Sequence, residues 1–294
     1  MLDRLEFKKV REFGEVINDT FLFIKQNFKP LLKALIYLCG FFILAAMIAA
    51  ITYQLSLQKN LAAPNSADPY GFTRLSQVFS ISYFMVILLV MANYTSMYVA
   101  TLSFIALYIE KGNVAPTVEE VWAYFKYYFF RVMGSGIVVS IFMLLAFMCC
   151  FFPGVYVFPA MSIFYPIMVL ENGTLGYSFN RSFKLLKDQW WTTAATIFVI
   201  WIIAYATMSF ASLPAIILGL VGAFTSGGRG LSSTIVIIST VIQYVCQLFM
   251  VLPVIGVTLC YFNLTERQES TGLMSRIDQF GTGEKDLNST PEEY

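Results

Sequence analysis

The chain has 294 residues, 58% of them hydrophobic and 13% charged, with a formal net charge of +1. Soluble domains carry about 25% charged residues, so the composition excludes an ordinary water-soluble globule. There is no histidine, which excludes Ser-His-Asp triads, HExxH zinc sites and the common modes of haem ligation.

The first thirty residues carry charges throughout and hold no uninterrupted apolar run of the signal-peptide kind, so the first span is expected to act as its own signal. Residues 1–30 are predicted to form a cytoplasmic amphipathic helix, residues 31–262 a membrane domain, and residues 263–294 a disordered acidic cytoplasmic tail. Roughly 20 apolar residues suffice to cross a bilayer. By that measure six spans are predicted, at 31–54, 77–110, 131–151, 155–171, 191–222 and 231–262. Pro30 opens the first, Pro153-Gly154 stops the third and Pro214 kinks the fifth. The loop 55–75 is rich in turn formers. No segment shows the ten-residue alternation of a membrane barrel. Of the 19 Lys and Arg, only Lys59, Arg74 and Arg229 fall on one side of this partition. By the positive-inside rule, both termini are then cytoplasmic.

A segment precedes each odd-numbered span. In the third, Leu175, Phe179, Phe183, Leu186 and Trp190 recur at helical spacing. The same columns hold Phe13, Ile17, Phe21, Ile24 and Phe28 in the first, and Val114, Val118, Trp122, Phe125 and Phe129 in the second. Lys25, Lys126 and Lys187 share one column, and Glu110-x-Gly112 lies over Glu171-x-Gly173. The pattern predicts a threefold repeat of amphipathic helix, span, span. Each amphipathic helix is expected to lie in the cytoplasmic interface, with Lys25, Lys126, Lys184 and Lys187 on anionic lipid headgroups.

Glu110 and Glu171 close the second and fourth spans, the helix ends least favourable to an anion. The glycine two residues on suits a left-handed terminating turn. Arg181, in the next helix, is the expected ion-pair partner of Glu171 at the corner between span and interfacial helix. The segment PGVYVFPAMSIFYPIMVLENGTLGYSFNRSFKLLKDQWW, with Pro153-Gly154, Pro166, Glu171 and Arg181-Ser182, resembles a bacterial family of six-span membrane proteins. That family includes the membrane domain attached to some glycerophosphodiester phosphodiesterases. The opening REFGEVINDTFLFIKQNFKPLL resembles the usual start of the same family. The resemblance implies a bacterial cytoplasmic membrane and no catalysis. The phosphodiesterase chemistry of fused members sits in a separate barrel domain with acidic and histidine motifs that have no counterpart here.

No ionisable residue lies mid-span, which argues against proton-coupled transport. The neutral polar residues are Asn93, Thr95 and Ser96 in the second span, and Gln243 and Gln247 in the sixth. Gln243 and Gln247 stand at i, i+4 and share a face. With Asn93 they either line a polar cavity or bond across helices. Cys39, Cys149, Cys150, Cys246 and Cys260 all fall in apolar runs and read as buried structural thiols. Gly134-Ser135-Gly136 and Ala45, Ala46, Ala49 and Ala50 mark close packing, and GGRG at 227–230 lacks the frame of a phosphate loop.

The expected fold is an all-α six-span bundle with three interfacial helices. The expected function is non-enzymatic organisation of lipids or partner membrane proteins, and the alternative is a transporter or channel for a lipid-like or amphipathic substrate. No catalytic residue, metal, cofactor or nucleic-acid partner is expected.

Overall fold

The structure is a computed structural model that describes residues 5–62, 80–149, 151–225, 233–270 and 274. Most of the loop at 55–75, the GGRG segment, Cys150 and residues 275–294 lie outside the described residues. Every regular element among the described residues is helical: α1 (Phe13–Ala62), α2 (Ile81–Glu110), α3 (Val118–Cys149), α4 (Phe151–Leu170), α5 (Leu175–Leu186), α6 (Trp190–Thr225), α7 (Ser233–Cys246), a 3₁₀ turn (Gln247–Met250) and α8 (Val251–Glu269). Six stretches are long and apolar enough to cross a membrane, with α7, the 3₁₀ turn and α8 forming the sixth.

The three segments ahead of the odd-numbered spans end differently, and local chemistry explains why. Pro30 has no N–H to donate and its ring crowds the carbonyl of Gln26. The helix responds with a kink at Asn27 (φ −112°, ψ 15°), whose Nδ2 donates to the Phe23 carbonyl at 3.2 Å. The first segment and its span are therefore one kinked helix, α1. Nothing breaks the second, so it runs unbroken into its span as α3, and Phe125 and Phe129 are buried instead of facing outward. Only the third stands apart, as α5. Thr174 caps it by accepting from the Tyr177 N–H at 3.4 Å, and a turn at Lys187–Gln189 closes it.

The corners after α2 and α4 also differ. Gly112 and Asn113 take left-handed φ values of 67° and 65° after α2, whereas after α4 the left-handed residue is Asn172 (φ 49°), not Gly173. Gly173 is needed for space: a Cβ there would lie 2.6 Å from Tyr177 Cδ1 and 2.7 Å from Ser178 Oγ.

α8 is the hub. It is buried almost throughout from Val251 to Glu266 and packs on α1, α2, α4, α5 and α6. At Gly256 it meets α6 so closely that a Cβ would lie 2.7 Å from Ile200 Cδ1. It continues to Glu269, past the expected start of the tail at 263, because Leu264, Thr265 and Glu266 are buried and Asn263 bonds to the N-terminal segment. A smaller cluster joins Ala46 and Ala50 of α1 to Tyr244 of α7. The outward faces of α3 and α6 carry long runs of exposed apolar residues, from Ile137 to Met148 and from Phe198 to Leu220. Cys39, Cys246 and Cys260 are buried, but Cys149, at the last turn of α3, is exposed.

Candidate functional site

The C-terminal ends of α2, α4 and α8 meet at one end of the bundle, with the starts of α3 and α5 beside them. Together they surround a polar basin of about 830 Å³ lined by Glu110, Glu171, Glu266, Glu269, Arg181, Lys8 and four tyrosines, among other residues. Glu171 is its centre. Arg181 Nε reaches its Oε1 at 3.5 Å, Tyr261 donates to Oε1 at 2.8 Å, and Tyr177 donates to Oε2 at 2.7 Å. These donors are the electrostatic answer to a carboxylate at the negative end of a helix. Arg181 also pairs with Glu269, which ties α5 to α8. Burial works against the charge of Arg181, but Glu269 and Glu171 outweigh it and raise its pKa. The hydrogen bond to Glu171 raises the pKa of Tyr177.

The corner after α2 is built alike. Tyr124 donates to Glu110 Oε2 at 2.9 Å, and Lys111 pairs with Glu120 at 2.6 Å. Arg131 crosses to the other corner, where it donates to Asn172 Oδ1 at 2.7 Å and to the Gly173 carbonyl at 2.6 Å.

Residues 5–12 close the far side of this end. Phe7 is buried in edge-on contact with Phe23, Tyr108 and Phe262. Arg11 is also fully buried. Its Nε donates to Asp19 Oδ2 at 2.8 Å and its Nη1 to the carbonyls of Phe7 and Lys9 at 2.7 and 3.1 Å, while Nη2 bonds the Glu6 carbonyl. Its backbone N–H donates to Asn263 Oδ1 at 2.8 Å, and its carbonyl accepts from Arg267 at 3.1 Å. Sequence reasoning placed Arg11 among the cytoplasmic charges and missed this role. An arginine among terminal charges carries no local signal of burial.

The four expected headgroup lysines, Lys25, Lys126, Lys184 and Lys187, are all exposed. Lys126 Nζ sits 5.6 Å above the Trp122 ring, a cation–π distance. The exposed aromatics Phe21 and Phe28 flank Lys25 on α1, and Trp191 follows Lys187.

Gln243 and Gln247 differ in surroundings: Gln243 is exposed and Gln247 is half-buried. α7 ends at Cys246 and Gln247 opens the 3₁₀ turn. Gln247 Oε1 accepts from Asn93 Nδ2 at 2.7 Å, bonding the sixth span to α2, while Gln243 is exposed. Asn93 and Gln247 act as a cross-helix bond, and neither they nor Gln243 line the described cavities.

A second chamber lies deeper. An open-sided cavity of about 420 Å³ is lined by Met91, Tyr94, Thr95 and Tyr98 of α2, Val132, Gly136 and Ser140 of α3, Tyr165 of α4, Trp201, Tyr205 and Met208 of α6, and Met250. Sequence reasoning missed it. The available signal was the pairing of Tyr94 with Tyr98 and of Trp201 with Tyr205, each at i, i+4 inside an apolar run.

Among the described residues, no cluster of three or more His, Cys, Asp or Glu is placed to hold a metal ion. Comparison with protein-family models, curated proteins and solved structures finds no match.

Proposed function

We propose that this chain is a non-enzymatic integral protein of a bacterial cytoplasmic membrane that gathers anionic lipids, or partner membrane proteins, around its cytoplasmic end. The carrying observation is the exposure of Lys25, Lys126, Lys184 and Lys187 beside outward-facing aromatics on the segments that precede the odd-numbered spans. Aromatic rings suit the headgroup boundary, and lysines close to an anionic surface contribute about 1 kcal/mol each. The uneven distribution of Lys and Arg supports cytoplasmic termini, and the resemblance to the six-span bacterial family accords with this location.

The three segments also suggest one repeated design. Thr20, Val121 and Ser182 occupy the same repeat column and all three are buried. Lys25, Lys126 and Lys187 occupy another. On this reading, an inner stripe docks each segment to the bundle and an outer stripe rests on lipid.

The alternative, a path for a lipid-like or amphipathic substrate, draws on the chamber between α2, α3, α4 and α6. The test of the principal reading is native mass spectrometry of the protein released gently from its membrane. Anionic lipid retained at fixed ratio should disappear when Lys25, Lys126 and Lys187 are changed to Glu. Lipid retention unchanged by the triple reversal would refute lipid gathering by these segments, and a co-released protein at fixed ratio would instead make the chain a subunit.

A further inference from the structure

The deep chamber has walls that packing alone does not explain. Tyr98 lies 12 residues before Glu110, about 18 Å along α2 at 1.5 Å per residue, well inside the apolar span. Most hydroxyls in these helices return to a backbone carbonyl three or four residues earlier: Ser96 to Asn93, Thr101 to Met97, Ser135 to Arg131, Ser162 to Phe158, at 2.7–2.9 Å. Thr95, Tyr98 and Tyr165, half-buried residues that line the chamber, have hydroxyls with no such partner among the described residues. The Tyr98 and Tyr165 rings stand 5.3 Å apart. In the wall, Trp201 is stacked on Tyr205, and its buried indole N–H has no acceptor among the described residues.

An unpaired hydroxyl in hydrocarbon costs several kcal/mol, so a chamber of this kind in a membrane is stable only when something polar meets those groups. The walls supply the second constraint. Methionine and aromatic side chains surround the hydroxyls, a lining suited to an apolar body with a single polar handle. Access supplies the third. α3 and α6 flank the chamber without packing closely on each other, and Tyr94 and Tyr205, which line it, are 38% and 59% exposed at span depth. The opening therefore faces the hydrocarbon of the bilayer.

We infer that this chamber binds a membrane-dissolved carbonyl compound, which enters sideways between α3 and α6 and places its carbonyl oxygen at the hydroxyls of Tyr98 and Tyr165. Two kinds of membrane component carry that chemistry: the ring of an isoprenoid quinone, and the ester of an acyl lipid. The inference goes beyond the lipid-gathering role of the lysines and uses none of the same residues.

The test uses the full chain purified from its own membrane into nanodiscs. Organic extracts are identified by mass spectrometry, and quenching of tryptophan fluorescence is titrated with a decyl-substituted benzoquinone and, separately, with a phosphatidylglycerol brominated on its acyl chain. Tyr98→Phe and Tyr165→Phe keep the rings and remove the hydroxyls. Each should weaken binding of the active probe about five- to tenfold, the worth of one hydrogen bond. Gly136→Leu should abolish binding by filling the chamber, since a Cβ there meets only the Tyr165 hydroxyl, at 3.8 Å. Saturation by the benzoquinone assigns the quinone, and saturation by the brominated lipid assigns the acyl ester. Unchanged affinity in both Phe variants, or a chamber holding only water with neither probe saturating, overturns the proposal. The Phe variants serve as the measure if Gly136→Leu fails to fold. Charge reversal of the surface lysines should leave this binding intact, which separates failure here from failure of the lipid-gathering reading.

Discussion

Replacing Arg11 by methionine removes the group that fastens residues 5–12 to the bundle. Methionine fills the space of the aliphatic stem but donates nothing. It leaves Asp19, whose side chain is 15% exposed, and the carbonyls of Glu6, Phe7 and Lys9 without their donor. Breaking a buried ion pair from one side costs roughly 3–5 kcal/mol. The carbonyls do not add to this independently, because the segment can swing out and meet water, which limits the loss to the free energy of docking it. The expected destabilisation is therefore about 3 kcal/mol, the lower end of that range. Equilibrium unfolding in mixed detergent and SDS micelles measures it. Arg11→Lys keeps the charge but cannot span a carboxylate and several carbonyls with one planar fork, so its loss should fall between those of wild type and Arg11→Met. Asp19→Asn still accepts from Arg11 Nε and should lose less, about 1–2 kcal/mol. An Arg11→Met protein within about 0.5 kcal/mol of wild type, well under the cost of a broken buried pair, would refute the fastening role, as would Arg11→Lys at full stability.

Gly256→Ala should destabilise by about 1–3 kcal/mol through the clash with Ile200, the usual cost of overpacking. Ile200→Ala removes the clashing atoms, so the double variant should be more stable than the two single losses predict, and strict additivity in the same micelle assay would count against the contact. For Tyr177, the folded pKa is raised above the ordinary value near 10 because its hydroxyl donates to Glu171. The stabilising bond is thus fully present below pH 10 and is lost as pH rises through the folded pKa. The ultraviolet titration of wild type minus Tyr177→Phe should show one phenol ionising above pH 10, and a midpoint at or below 10 would contradict the bond.

The spans were legible because the bilayer imposes them: a run of about 20 apolar residues has few other fates. The contact of Glu171 with Arg181 was legible for an electrostatic reason, since a carboxylate at a helix C-terminus needs donors. What hydropathy could not show was continuity. Pro30 bends α1, a turn isolates α5, and the absence of either lets α3 run straight, and these differences change which aromatics face outward. Of the two readings of the mid-span amides, cross-helix bonding is the one that Asn93 and Gln247 form, while Gln243 is exposed, a difference that their shared spacing could not show. Arg11 and the tyrosine chamber were hidden for opposite reasons. The charge resembled surface, and the rings resembled lipid-facing chain, until partners distant in sequence were brought together.

The bonds from Arg11 to Asn263 and Arg267 span nearly the whole chain, 252 residues in the first case. A ribosome adding 5–20 residues per second needs roughly 10–50 s to cover that separation. Throughout that interval the Arg11 guanidinium can already bind Asp19 and the carbonyls of Glu6, Phe7 and Lys9, but its backbone lacks Asn263 and Arg267, and Phe7 lacks Phe262. Assembly of this protein thus includes a waiting period set by translation speed, and the fold closes only when its last helix arrives to receive its first residues.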